Sequence, residues 1–419
     1  MRRILNSLST PTAKSTLAFY IASFTQSIFR YLFHLVLLRL LLPAEYGEFL
    51  SYLSLIYLLG IPMSTVSTVV TKYVSEYHAK KKSKEINLFF YFLLKTLSPL
   101  VLTVGLALFL FSGPLSVIFK AHPIAFTVLG ISMFVSLFQT IITSYIIAFQ
   151  EFVYVSAIGF LSIFLTIALS FIFIRSGLGA TGAVIGQLVS NIICTIINFV
   201  HLRSRIFPKA DTKIKPNFSM GGFTIYSFLY SLGTLSLIST DILVVRAFSE
   251  PHLSGLYSAL SILGRMILFG LTPIISLTLP IASNRHAASG TAKPVFIKLG
   301  GLITFLGFVG AGIFSLFPEL VVKILSGGAY LAISPYLSIF AFSMVFFAVS
   351  QFILSYLMAT GFPKANFILV SASVVQPIII YFFRNSLSGI IWSSFLVQLF
   401  LACSLLLYLF RSQQTKQSA

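Results

Sequence analysis

Ser23, Ser27, Arg30 and His34 follow one another at spacings of four, three and four residues within a long apolar run. On a helix that spacing draws them into a single stripe. Ser254, Ser258, Ser261 and Arg265 repeat the spacing in the second half of the chain, and Ser227, Ser231, Thr234 and Asp241 form a third stripe. A guanidinium is a planar fork that takes phosphate oxygens in pairs, and hydroxyls suit an uncharged polar group such as a sugar. A charge at the centre of a bilayer costs roughly 3 kcal/mol on insertion scales, so these stripes are expected to face protein or a wet cavity rather than lipid. The chemistry this predicts is recognition of a pyrophosphate-bearing ligand by Arg30, Arg265, His34, Ser27 and Ser261. The alternative is that Arg30 or Arg265 pairs with Asp241 and locks the helices together. Asp241 is also a candidate for a coupling proton or sodium ion. His34 is a second candidate, because imidazole titrates near neutral pH. Lys72 and Lys95 lie two or three turns from the basic side, where they either snorkel to the interface or help admit an anion.

The elements that carry these residues are membrane spans. Of the 419 residues 57% are hydrophobic and 9% charged, and the mean hydropathy is +0.99, where a soluble domain is about one quarter charged. Apolar runs cover about 15–41, 46–73, 88–111, 123–149, 153–174, 180–202, 221–248, 253–282, 295–317, 331–360, 365–383 and 388–410. The expected fold is an all-α integral membrane protein of about twelve transmembrane helices. The net charge of +19, from 28 Lys and Arg against 9 Asp and Glu, would suggest nucleic acid in a soluble chain. Here the basic residues sit in short loops on one side, among them Arg2, Arg3, Lys80, Lys81, Lys82, Lys84, Lys209, Lys213, Lys215, Lys293 and Lys364. That asymmetry predicts both termini in the cytoplasm and anionic lipid headgroups as partners, with no nucleic acid. The polar linker 208–218 divides the chain into lobes 1–207 and 219–419.

Other chemistry finds no footing. Gly177-Leu-Gly179-Ala-Thr-Gly182 has the letters of a dinucleotide fingerprint, but no strand precedes it, and it reads as a tight turn between the fifth and sixth spans. No phosphate-binding Gly-x-x-x-x-Gly-Lys loop, His-Glu-x-x-His or Gly-x-Ser-x-Gly occurs, so no cofactor, metal or catalytic triad is expected. Cys194 and Cys403 both read as small packing residues. The basic Met1-Arg2-Arg3 precedes an apolar run too long for a signal peptide, so the first helix is expected to be retained.

The halves echo each other. Pro43-x-x-x-Gly47-x-Phe49 returns as Pro251-x-x-x-Gly255-x-Tyr257, and Ser144-Tyr145-x-x-Ala148 as Ser355-Tyr356-x-x-Ala359. Arg39, His34, Arg175 and Cys194 correspond to Arg246, Asp241, Arg384 and Cys403, all at an offset of about 210, the fixed-period signature of an internal repeat. Six spans per half predict two lobes related by a pseudo-two-fold along the membrane normal.

The path Leu35 to Phe49, with Arg39-Leu-Leu-Leu-Pro43-Ala-Glu-Tyr46-Gly47, resembles the opening of the polysaccharide-biosynthesis flippases. So do Val70-Thr-Lys72-Tyr-Val-Ser75-Glu76-Tyr77, and Asp241-Ile-Leu-Val followed by Ser254-Gly255-Leu-Tyr257-Ser-Ala259. These flippases belong to the multidrug/oligosaccharidyl-lipid/polysaccharide exporter superfamily. The resemblance implies two six-helix lobes around a central cavity, alternating access, and a polyprenyl-pyrophosphate-linked oligosaccharide carried from the cytoplasmic to the outer leaflet of the cell membrane. The lipid II flippases of the superfamily typically carry two helices beyond the two lobes, and with about twelve spans the chain is not expected to be one of them. The rival readings are a cation-coupled multidrug exporter of the same superfamily, and a membrane glycosyltransferase or polysaccharide polymerase. The outer loops are short for such an enzyme, and a non-enzymatic transporter is expected.

Overall fold

Proline and glycine divide this apolar sequence into helices. A computed structural model of the chain describes residues 11–206, 222–289 and 291–417. The N-terminal arginines Arg2 and Arg3 and the linker 208–218 lie outside the described residues. In chain order the helices are α1 (Pro11–Leu40), α2 (Pro43–Leu59), α3 (Ile61–Ala79), α4 (Ser83–Leu110), α5 (Ser112–Ile118), α6 (Pro123–Ala148), α7 (Phe152–Phe173) and α8 (Gly179–Ile206). The second half supplies α9 (Gly222–Leu237), α10 (Thr240–Phe248), α11 (Pro251–Ser289), α12 (Lys293–Leu316), α13 (Pro318–Leu325), α14 (Ser334–Ala359), α15 (Asn366–Phe382) and α16 (Leu387–Gln417). No strand forms among the described residues.

The breaks have local causes. At the start of α2, Glu45 reaches back to accept a hydrogen bond from the Leu42 amide at 3.0 Å, and Pro43 follows as the first helical residue, which needs no amide partner. α2 ends and α3 begins at a break at Gly60. α7 and α8 form a hairpin that turns at Gly177 and Gly179, both at positive φ, +91° and +49°. Side chains with a Cβ rarely adopt that backbone, so the glycine run read as a turn is required there. Hydrogen bonds from Ser170 Oγ to the Ala183 carbonyl (3.0 Å) and from Ser190 Oγ to the Ser162 carbonyl (2.8 Å) fix the antiparallel register. Tyr154 stacks on His201 farther from the turn, ring centroids 3.9 Å apart.

Nine helical stretches among the described residues are long and apolar enough to cross a membrane, or ten with the α2–α3 pair. The two arms of the α7–α8 hairpin together form one of these stretches, Phe152–Arg203, and α1 is not among them. The chain is a multi-pass, all-α membrane protein in two lobes. The half-repeat is visible in the elements too, since a short helix follows the third span of each half, α5 after α4 and α13 after α12.

The chain packs as two units. The first comprises Met1–Phe33 and Leu59–Thr224, the second His34–Leu58 and Ile225–Ala419. Val70, Phe89, Phe90, Leu137, Ile141 and Tyr145 centre the core of the first unit, where the Tyr145 hydroxyl donates to the Ile86 carbonyl at 3.0 Å. In the second unit Phe340, Phe347, Phe352 and Leu354 of α14 are fully buried.

The segment His34–Leu58 lies early in the sequence and packs with the second unit. Gly47 and Gly255, the glycines of the repeated motif, meet there. A Cβ added at Gly255 would fall 1.9 Å from the Pro43 oxygen, and one at Gly47 2.9 Å from the Gly255 Cα. Only glycine permits that approach of backbones. Arg246 Nη1 donates to the Ala44 carbonyl at 3.0 Å and the Tyr330 hydroxyl to the Leu41 carbonyl at 3.3 Å. Position alone would make Arg39 and Arg246 interfacial anchors. Arg39 is exposed and donates to the Ile324 carbonyl at 2.5 Å, whereas Arg246 is 2% exposed and serves as a buried donor to the α2 turn.

Candidate functional site

α1 presents its polar stripe because its other face is taken. Gln26 Nε2 donates to the Ser156 carbonyl of α7 at 3.0 Å, and the Phe29 ring sits 6.2 Å from Phe160 and 5.6 Å from Phe164. Those contacts leave Ser27 and Arg30 exposed. Ser27 Oγ donates to the Ser23 carbonyl one turn back, at 3.0 Å. Arg30 makes no hydrogen bond or ion pair with any described residue. The next stripe residue, His34, lies in the second unit, where its Nδ1 is 3.2 Å from the Tyr46 hydroxyl and its ring 6.1 Å from Phe49. Lys72 and Lys95, in the first unit, are both exposed, and the Lys72 ammonium lies 5.5 Å from the Tyr73 ring centre.

The second stripe is buried throughout. Ser254, Ser258, Ser261 and Arg265 are each at most 5% exposed. Arg265 Nη2 donates to Asp241 Oδ2 at 2.8 Å, and the Tyr257 hydroxyl donates to the same oxygen at 2.8 Å. Asp241 Oδ1 accepts from the Ile242 amide at 2.8 Å. A break in the seventh span places the carboxylate there. The Ser239 amide and the Thr240 hydroxyl both donate to the Ser236 carbonyl, at 3.1 and 2.8 Å, and such competition from a Thr side chain for a backbone carbonyl bends a helix. The helix restarts as α10 with Asp241 in its first turn, where a negative charge suits the helix dipole.

The pair is incompletely satisfied. Arg265 Nε and the hydroxyls of Ser254, Ser258 and Ser261 have no hydrogen-bond partner among the described residues. Thr234, on the third stripe, exchanges hydrogen bonds with Gln351, the amide donating at 2.8 Å.

One member of this centre, Tyr257, escapes a reading by spacing, and so does the buried Arg246 at the α2 turn. The signal for Tyr257 was present in the half-repeat. Where the first copy has His34 and Phe49 in ring contact, the second has Asp241 and Tyr257 in a hydrogen bond, so both positions gain oxygen in the second copy. Nothing in the local sequence marks Arg246 as buried.

Chemically, Arg30 offers a free fork for a phosphate, and the Asp241–Arg265–Tyr257 centre offers a carboxylate whose protonation would loosen a buried pair. No group of three or more His, Cys, Asp or Glu suited to a metal occurs among the described residues.

Residues 36–335 match the family model described as polysaccharide biosynthesis protein. No curated protein matches the sequence. Among solved structures, the chain is similar to an inward-facing multidrug resistance MATE family transporter of the MOP superfamily. The TM-score is 0.77 at 13% identity, covering 94% of this chain and 96% of that one. It is also similar to the lipid II flippase MurJ in an inward closed conformation, with TM-score 0.70 at 14% identity, covering 94% and 87%. An outward-facing MATE family transporter gives a TM-score of 0.62 at 14% identity, covering 98% of each chain.

Proposed function

The chain belongs to the polysaccharide biosynthesis protein family, and from that premise we propose that it is a flippase for a polyprenyl-pyrophosphate-linked oligosaccharide. It moves this lipid from the cytoplasmic to the outer leaflet of the cell membrane as a secondary transporter, by alternating access of two helical lobes, with both termini in the cytoplasm. It catalyses no covalent step. The observation that carries the reading is Arg30, a guanidinium within a membrane-length helix, exposed and bound to no described residue. An uncompensated charge at that depth is tolerated where it meets water or an anionic ligand, and the pyrophosphate is that ligand. Ser27, one turn away, meets the first sugars, and His34 extends the stripe. Lys72 and Lys95 help draw the anion in. A cationic drug would want carboxylates, which the α1 stripe lacks.

Arg265 enters this scheme through Asp241. With the carboxylate ionised the guanidinium is held at 2.8 Å. A proton or sodium ion on Asp241 weakens that hold and frees Arg265, beside Ser261, for the substrate. A second reading of Arg265, as a fixed brace of its lobe, is favoured by the burial of both partners, 5% and 2% exposed.

The test is flipping of a fluorescent polyprenyl-pyrophosphate oligosaccharide in vesicles holding the purified protein. A charge-assisted hydrogen bond contributes about 1.5–3 kcal/mol, so Arg30→Ala is expected to slow flipping by roughly tenfold to a hundredfold, with Arg30→Lys in between. Full flipping by Arg30→Ala at normal protein level defeats the assignment. Drug resistance conferred on cells, with no glycolipid flipping, would point to the multidrug exporter.

A further inference from the structure

Away from the stripes, the helices α12, α14 and α16 of the second unit enclose a cavity of about 420 Å³. Phe296, Gly301 and Thr304 of α12, Phe346 of α14, and Leu399 and Cys403 of α16 are among its walls. Ligand pockets measure roughly 300–1,000 Å³, so the space suits a bound molecule. Gly301 keeps it open, since a Cβ placed there meets nothing within 4 Å. Ile297, one of its walls, also borders a second hollow of about 400 Å³ lined by Thr291, Lys293, Pro294 and Lys298. Both lysines are exposed and stand in the first two turns of α12. No acidic residue lines either space.

A hydrocarbon-lined groove with a cationic mouth, set in three membrane-length helices, matches an amphiphile with an apolar chain and an anionic head. We propose that this groove binds one anionic phospholipid, its acyl chain between α12, α14 and α16 and its phosphate at Lys293 and Lys298. The walls offer a sugar few hydroxyls beyond Thr291 and Thr304, which favours a phospholipid over a lipid-linked glycan. The site is independent of the flippase reading and stands or falls without it.

Cys403 supplies the readout. It is exposed in the groove, while Cys194 is buried. The full chain is placed in nanodiscs of phosphatidylcholine, with and without phosphatidylglycerol, and maleimide labelling of Cys403 is timed. Phosphatidylglycerol is expected to slow labelling. Lys293→Gln and Lys298→Gln should each raise the phosphatidylglycerol needed by about fivefold, as a basic residue near an anionic surface contributes. Gly301→Trp, which fills open space, should abolish retention of one phosphatidylglycerol seen by native mass spectrometry. The exposed lysine substitutions keep the test sound should Gly301→Trp fail to fold. Equal labelling in both lipids, unchanged protection after both lysine substitutions, or protection by added polyprenyl pyrophosphate alone would each overturn the proposal.

Discussion

Two stripes of serine and arginine carry the same residues at the same spacing, and the fold treats them oppositely. On α1, Arg30 is exposed and unbound to any described residue. On α11, Arg265 is 5% exposed and ion-paired. The difference comes from their neighbours. The second half has Asp241 and Tyr257 where the first has His34 and Phe49, and Asp241 is the carboxylate that pairs with Arg265 and accepts from Tyr257. Two arginines at the same spacing are thus not one kind of feature: beside a carboxylate Arg265 is paired and buried, and without one Arg30 is exposed.

The largest effect that would break this contrast comes from removing the counter-ion. Asp241→Ala leaves Arg265 buried and uncompensated, which is expected to destabilise by about 3–5 kcal/mol. Arg30→Ala should change stability by less than about 0.5 kcal/mol. Thermal unfolding in detergent reads both, and equal losses would erase the distinction. Joint replacement by Asp241→Leu and Arg265→Met should recover most of the lost stability, because an apolar pair of similar volume substitutes well for a buried ion pair.

Giving the second half the residue of the first sharpens the comparison. Tyr257→Phe removes one donor from the carboxylate and is expected to lower stability by about 1.5–3 kcal/mol, the range for a hydrogen bond to a charged group. An unchanged unfolding temperature would show that the phenol contributes nothing to holding Asp241.

The glycines where the two motif copies meet give the next effect. Gly255→Ala drives a methyl group into the Pro43 carbonyl and should destabilise by about 1–3 kcal/mol through overpacking. The same unfolding assay checks it, and a neutral result would mean that the α2 turn yields freely.

The smallest effects belong to the serines. Ser258 is buried with a hydroxyl that has no partner among the described residues, so Ser258→Ala should leave stability unchanged or raise it by up to about 1 kcal/mol, since desolvating an unpaired hydroxyl is unfavourable. Exposed Ser27→Ala should shift it by less than about 0.5 kcal/mol. A clear loss from Ser258→Ala would reveal a bound water or ion in the second lobe.

Several things were fixed by the order of residues alone. The apolar runs demanded membrane spans, because a backbone in lipid must satisfy its own hydrogen bonds. The glycines at 177, 179 and 182 pointed to a turn, because glycine alone reaches left-handed backbone without steric cost. The shared offset of the Pro-x-x-x-Gly motifs revealed two equivalent halves, and the spacing of the stripes placed each arginine on a polar face.

Burial and partnership were decided by tertiary structure. Asp241 and Arg265 are 24 residues apart on different helices, and they meet only because α10 begins anew after Ser239. The reach of His34–Leu58 into the second unit likewise depends on two backbones touching at glycine. Cys403, a packing residue by its letters, is exposed on the wall of a groove between α12, α14 and α16. Periodicity specifies which face of a helix is polar. What that face meets depends on chain segments hundreds of residues away, and the interaction free energy belongs to the pair rather than to either residue's place in the sequence.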